Sequence, residues 1–215
     1  MSRLDFYLSP ISPYSYLALP GLRALAEAQA LDVVWKPLDL VALFRRTGGI
    51  PLGQRPQARQ DYLLADIARQ AKRLGLPIHA QPAHFPTNAA PASYAIIAAQ
   101  KAVQKAGHQT GSGDMFALVE AVLAACWAEE KNIAEDAVVK AALAAAGFDP
   151  GLADSGLFTG AEIYGRNLEE AVQAGVFGVP SFVTEDGALF WGQDRLDDLA
   201  DHLAGLQAGL PEGAG

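Results

Sequence analysis

The sequence predicts an α/β fold carrying an all-helical insertion, and three observations support that expectation. Strand-like runs lie only toward the two ends of the 215-residue chain. The block from 60 to 151 has no strand pattern, and a Val-Pro dipeptide stands directly before the third strand candidate. The expected organisation is an α/β domain made of residues 1–59 and 152–215, with residues 60–151 as the insertion. A chain of this length holds one sizeable domain so interrupted.

In chain order, residues 4–8 alternate and carry aromatics, which fits a strand, while residues 14–28 place Tyr16, Leu17, Leu19, Leu22 and Leu25 at helical spacings. Ser12 stands where that strand hands over to the helix. Pro13 suits the first helical turn, because its missing N–H would be unpaired there anyway. Residues 31–37 form a second strand candidate and complete a βαβ unit. Residues 38–56 read as an irregular surface loop: Gly48, Gly49, Pro51, Gly53 and Pro56 break it, and Arg45, Arg46 and Arg55 add cations.

Residues 60–76 are amphipathic, with Tyr62, Leu63, Ile67, Ala71 and Leu74 on the apolar side of a helix. A proline-rich loop follows over 77–86. Three Ala-rich helices are expected at 88–106, 114–130 and 135–147, closed by Gly107 and Gly147. After a further helix at 159–174, Gly175 and Gly178 break the pattern and Val179-Pro180 is extended, because the residue before proline disfavours the helical region. Residues 181–184 and 188–191 are paired strands around a Glu185-Asp186-Gly187 turn. Leu196, Leu199, Leu203 and Leu206 mark a closing helix, and residues 209–215 a frayed tail.

Placed together, these elements give β-α-β, a helical insertion, then α-β-β-α. That is the order of a thioredoxin-like fold, in which the proline before the third strand is cis and faces the turn after the first strand. A cis X-Pro bond leaves the Val179 N–H and C=O free to pair with an extended peptide, as strand addition does.

The N–H groups and positive dipole end of the helix after Ser12 attract an anion, and a hydroxyl there can donate to it as well. In thioredoxin-like proteins the turn carries Cys-x-x-Cys, and the anion is a thiolate. Here the four residues are Ser12, Pro13, Tyr14 and Ser15. The chain has one cysteine, Cys126, in an Ala-rich helical run. A dithiol cycle is thereby excluded, and Cys126 reads as a small buried apolar side chain. A turn built for a thiolate, yet lacking one, implies a borrowed thiol such as glutathione. The plain alternative is that Ser12 only caps its helix.

A net charge of −8 and a pI near 4.9 argue against a nucleic-acid partner, which calls for a basic patch. No run approaches a membrane span, and residues 1–10 have neither a basic nor an apolar leader pattern, so the expected location is cytoplasmic. His79 and His84 are too loosely spaced, with no Cys or paired carboxylate beside them, for a metal motif.

Five segments carry a resemblance: DFYLSPISPYSYLA at 5–18, FPTN at 85–88, CWAEEKNI at 126–133, GVFGVPSF at 175–182 and FWGQDRL at 190–196. Through them the chain resembles the 2-hydroxychromene-2-carboxylate isomerases, relatives of kappa-class glutathione transferases and of helical-insert disulfide oxidoreductases. The resemblance implies glutathione as cofactor, with Ser12 donating to its sulfur and Val179 pairing with its cysteinyl backbone. Trp191, Gly192, Gln193 and Asp194 would meet the γ-glutamyl end, Asp194 accepting from the α-ammonium and the last helix receiving the α-carboxylate. Where the family has Gly-Asn before prolines, this chain has Gly48-Gly49-Ile50-Pro51, a departure at the expected pocket for a small aromatic carboxylate. Arg45, Arg46 and Gly49 are the substrate-side candidates. The activity so implied is isomerisation with glutathione used catalytically: the thiolate adds to the chromene, the ring opens, a bond rotates and the thiol is eliminated. A kappa-like transferase or peroxidase, or a non-enzymatic glutathione-binding domain, are the alternatives. A homodimer is also implied by the resemblance.

Overall fold

The central strand is β1 (Arg3–Leu8), and everything near the Ser12 turn is placed by its neighbours. In the computed structural model, which describes residues 2–107 and 113–209, β1 pairs in parallel with β2 (Asp32–Pro37) and antiparallel with β3 (Ser181–Thr184). The hairpin partner β4 (Leu189–Trp191) completes a four-stranded sheet in the order β2-β1-β3-β4. Residues 210–215, most of the expected tail, lie outside the described residues.

The helices are α1 (Pro13–Gln29), α2 (Leu40–Thr47), α3 (Gln57–Leu74), α4 (Ala90–Ala106), α5 (Met115–Trp127), α6 (Asp136–Ala145), α7 (Leu152–Ser155), α8 (Leu157–Gln173) and α9 (Leu196–Gln207). The expected loop over 38–56 is corrected by α2. Asp39 caps it, its carboxylate accepting from Val41 and Ala42 N–H at 2.9 and 3.0 Å, and Gly48 ends it in the left-handed region. The cap and the C-terminal glycine were both readable, but the dense breakers after Gly48 masked eight helical residues. In α3, Ile67 and Ala71 are buried and Leu63 partly so, whereas Tyr62 and Leu74 are exposed at the ends of the arc, outside its apolar side.

Alternation along β1 divides the core. Leu4, Phe6 and Leu8 pack with α1, α4, α5 and α9, whereas Tyr7 joins Leu38, Leu43 and Ala171 on the other side. Phe6 stacks on Phe182 at 5.0 Å and meets Trp35 edge-on; Trp35 in turn meets Phe116 of α5 at 4.8 Å. One hydrophobic cluster therefore runs from the sheet into the 60–151 segment. Lys36 is buried between Asp5 and Glu170, 2.6 Å from each. Burial opposes its charge, but the two carboxylates outweigh burial and hold it above its ordinary pKa.

The outer edge of β2 is covered by a side chain. The Gln100 amide of α4 accepts from Trp35 N–H at 2.7 Å and donates to Trp35 C=O at 3.1 Å, standing in for a neighbouring strand. Gln100→Ala orphans both backbone groups, and each unsatisfied buried polar group costs about 1–3 kcal/mol. The expected outcome in urea denaturation is a loss of about 2–6 kcal/mol with an unchanged m-value.

Candidate functional site

Strand β1 ends in a turn that the chain closes tightly. Ser12 N–H donates to Ser9 C=O at 2.9 Å, with Pro10 and Ile11 as the central residues. Ser12 is then the N-cap of α1, with Pro13 in the first turn, and its hydroxyl oxygen accepts from Ser15 N–H at 3.2 Å. The first turn of α1 holds no acidic residue, so the positive end of the helix is uncompensated by its own side chains. Ser15 is fully buried and its oxygen accepts from Ser9 N–H.

The Ser12 hydroxyl also stands 3.4 Å from the Val179 carbonyl, 167 residues away. The Val179-Pro180 peptide is cis. Among the described residues the Val179 N–H donates to no backbone carbonyl. One contact thus joins the end of β1 to the start of β3.

The 191–194 segment attaches to the same place. Gly192 N–H donates to Pro180 C=O at 2.9 Å, and the Trp191 indole lies so close over Gly178 that a Cβ there would come within 2.7 Å of it. Trp191 and Phe177 meet edge-to-face at 4.7 Å and both are exposed, an aromatic pair beside Val179. Gly192 has φ +119, a region that side chains rarely adopt, and a Cβ would approach the Asp194 carboxylate to 2.4 Å. Asp194 is exposed and holds Arg195 at 2.8 Å, and Arg195 also reaches Asp198. The Gln193 side chain makes no hydrogen bond among the described residues. Ser12 and Val179 are both buried, and the Val179-Pro180 peptide ties them to the segment of Trp191, Gly192, Gln193 and Asp194 through the Gly192 N–H.

The substrate-side candidates stand apart from it. They follow β2 as Ser12 follows β1, so they rise from the same end of the two parallel strands, where α/β folds gather ligands. No hydrogen bond or ion pair links them to Ser12. Arg46 is held by Glu169 in a two-pronged pair at 2.7 and 3.2 Å, whereas Arg45 is exposed with no ion pair among the described residues. At Gly49 a Cβ would lie 2.1 Å from the Phe44 ring, so the ring takes the space where a side chain would begin.

Two contacts were beyond sequence reasoning. The Tyr14 hydroxyl donates to Asp66 of α3 at 2.8 Å, and burial followed by that hydrogen bond raises the Tyr14 pKa, keeping it a neutral donor. The Trp127 indole N–H donates to Pro10 C=O at 3.0 Å. Both residues lie in segments that carry the resemblance, but nothing local names their partners. Cys126 is buried and its thiol is pushed up to about 12 by that burial, which disfavours the thiolate at neutral pH. No group of three or more metal-ligating side chains occurs among the described residues, and none of their helices is long and apolar enough to cross a membrane. A cleft of about 320 Å³ lined by Arg3, Asp5, Val183, Thr184 and Glu185 opens at the opposite end of the sheet.

Two substitutions test this geometry. Gly192→Ala forces an L side chain into a glycine-only conformation, a strain of about 1–3 kcal/mol, and should lower the thermal midpoint by several degrees. Cys126→Ala should lower the midpoint through a small cavity while leaving most activity; a well-folded variant without activity would show that this thiol reacts.

Comparison with known proteins matches residues 3–204 to the DSBA-like thioredoxin domain. The chain is 29% identical over 208 residues to a 2-hydroxychromene-2-carboxylate isomerase of Pseudomonas putida, covering 94% of this chain and 95% of that one. Its counterpart from Sphingobium xenophagum is 28% identical over 209 residues, covering 93% and 97%. A glutathione S-transferase kappa 1 of Caenorhabditis elegans is 31% identical over 83 residues, 38% of this chain and 36% of that one. Among solved structures, a 2-hydroxychromene-2-carboxylate isomerase superposes with a TM-score of 0.73 at 25% identity, covering 98% of this chain and all of that one. The chain belongs to the DSBA-like thioredoxin-domain family, and it resembles the 2-hydroxychromene-2-carboxylate isomerases over nearly its whole length.

Proposed function

We propose that the protein is a glutathione-dependent isomerase of aromatic acids of the 2-hydroxychromene-2-carboxylate type, opening the ring to trans-o-hydroxybenzylidenepyruvate. The observation that carries this reading is the Ser12–Val179 junction at the uncompensated N-terminus of α1. Relatives named for that isomerase activity, matching along the whole chain, supply the substrate class. The chain's own sulfur is buried and protonated, so a nucleophilic thiol at this turn has to come from outside.

Ser12 has one proton to donate, and its 3.4 Å contact with the Val179 carbonyl is long for an O–H···O bond. A charged sulfur at the turn is the better acceptor and receives that hydrogen bond, the proton staying on Ser12, while the hydroxyl oxygen keeps its bond from Ser15 N–H. The freed Val179 carbonyl and its N–H then pair with a cysteinyl backbone. Trp191, Gly192, Gln193 and Asp194 meet the γ-glutamyl end, where Asp194 accepts from the α-ammonium. Bound glutathione would supply the nucleophilic sulfur that adds reversibly to the substrate and leaves again unchanged. Arg45 is the cation of α2 left to meet a substrate carboxylate; Arg46 would have to leave Glu169, and Gly49 offers backbone only. A cytoplasmic site of action, where the thiol is kept reduced, belongs to the same proposal.

Incubation with glutathione and a chromene carboxylate, following absorbance and free thiol together, should show turnover without loss of thiol. Stoichiometric loss would favour a transferase or peroxidase, the reading that the kappa-class match supports. Glutathione at ~100 times its dissociation constant should add about 2.7 kcal/mol of stability, and Asp194→Ala should weaken that effect. Ser12→Ala removes a hydrogen bond to a charged group, about 1.5–3 kcal/mol. That raises the bound thiol pKa by roughly one to two units, because the deprotonated form loses its donor. The rising limb of the pH–rate profile should move alkaline with glutathione affinity little changed. An unmoved profile would leave Ser12 a helix cap only.

A further inference from the structure

We propose that Trp127 is a positioning residue for Ser12: by holding the Pro10 carbonyl, its indole N–H sets the turn that presents the Ser12 hydroxyl at the head of α1. The proposal rests on the role given to Ser12 above, although the geometry of the turn does not.

Trp127 is the last residue of α5 and is buried. Its N–H donates to Pro10 C=O at 3.0 Å, a bond across 117 residues. Pro10 and Ile11 are the central residues of the Ser9–Ser12 turn, so this carbonyl belongs to the turn's central peptide. The direction of that carbonyl fixes the plane of the Pro10-Ile11 peptide, one residue before Ser12. Proline at the second turn position allows two turn types that differ by a flip of this peptide. Ile11 has no positive φ, which excludes the flipped form, and the indole secures the one that remains. Pro10 is buried, so water cannot easily replace the indole. Ser9 Oγ is buried in the same turn without a partner, so no side-chain hydrogen bond from Ser9 adds to the indole's hold on the turn.

Trp127 is itself held from its far side. Its carbonyl accepts from His79 N–H at 2.7 Å, and its ring packs on Phe85 at 5.3 Å. Glu130, at φ +53, accepts from Ala83 N–H and lies 3.8 Å from His79, so the proline-rich loop is fastened around the end of α5. The plain alternative is that a buried indole N–H merely found an acceptor. A packing role is served by any aromatic ring of similar size, and a positioning role needs the N–H.

The test measures the turn with and without that N–H. Trp127→Phe is made in the wild type and in the Ser12→Cys, Cys126→Ala background, where the sulfur at position 12 is the chain's one thiol. The titratable groups around the turn, Tyr14 with Asp66, Tyr16, and His79 with Glu130, are the same in every arm. Its rate of alkylation by iodoacetamide against pH reports how well the head of α1 stabilises a thiolate. Trp127→Phe should move that profile alkaline by about half a unit, roughly threefold less thiolate at neutral pH. In the Ser12 enzyme it should lower kcat at neutral pH with KM for glutathione within about twofold. Phe85→Leu loosens packing on the same ring but keeps its N–H, so it should lower the thermal midpoint without moving the profile. Should Trp127→Phe not fold, β-(3-benzothienyl)alanine at position 127 alone keeps the indole shape without the N–H and should give the same shift. An unmoved alkylation profile overturns the proposal. If the wild type neither binds glutathione nor isomerises, the functional reading fails, while the alkylation arms, which need no glutathione, still decide the role of Trp127.

Discussion

One oxygen, Ser12 Oγ, is where the two halves of the chain meet. It accepts from Ser15 N–H inside α1 and stands against the Val179 carbonyl at the start of β3. A hydroxyl has two lone pairs and a single proton, so it can cap a helix by accepting while its proton is aimed elsewhere. Capping and thiolate stabilisation are therefore compatible roles for the same side chain. Cysteine at this position would make a sulfur the anion; on the proposed reading, serine makes the turn a receptor for an anion that arrives.

That receptor is only as good as the frame that holds it, and the frame spans both parts of the chain. Helix α5 touches the sheet through Phe116, against Trp35, and touches the Ser12 turn through Trp127 at its other end. A helix of 13 residues is about 20 Å long, so it acts as a strut between the β2 edge and the turn. Helix α3 reaches the turn from another side through Tyr14 and Asp66, and Tyr16 donates to the Pro77 carbonyl. The helical segment between β2 and β3 shares its core with the sheet and has polar contacts at the turn, so it is part of the site's support.

Most of this frame was legible because its signals are local. Period-2 alternation marks β1, Pro37 ends β2, Ser12-Pro13 marks the start of α1, and Glu185-Asp186-Gly187 marks the β3–β4 hairpin. The geometry at 12, 179 and 191–194 was legible because short local signals carry it: a Ser-Pro junction, a Val-Pro dipeptide and a glycine after a strand; the roles of these residues belong to the proposal. Helix α2 was missed because Gly48, Gly49 and Pro51 dominate a window in which Asp39 was the deciding residue. Trp127 to Pro10, Gln100 to Trp35 and Tyr14 to Asp66 were not legible at all: each joins positions at least 52 residues apart, and chain pattern says nothing about partners at that distance.

The charge of the molecule explains why backbone groups matter so much here. At −8 the chain repels anions at long range, and the 194–198 segment adds Asp194, Asp197 and Asp198, with Arg195 already paired to two of them. On the proposed reading both ligands are anionic, so long-range steering works against their capture. Screening confines that repulsion to about 8–10 Å at ordinary ionic strength, and within this range the contacts decide. On that reading the contacts to the thiolate are N–H groups and one hydroxyl: the first turn of α1, the Val179 backbone and Ser12. Oriented dipoles favour an anion at contact without carrying a net charge that would raise the global field. An acidic protein can hold a thiolate in this way, and the cost is rigidity: the turn must already be in place before the ligand arrives. The structure meets that requirement with hydrogen bonds converging on residues 9–16 from α1, α3, α5, Val179 and the proline-rich loop.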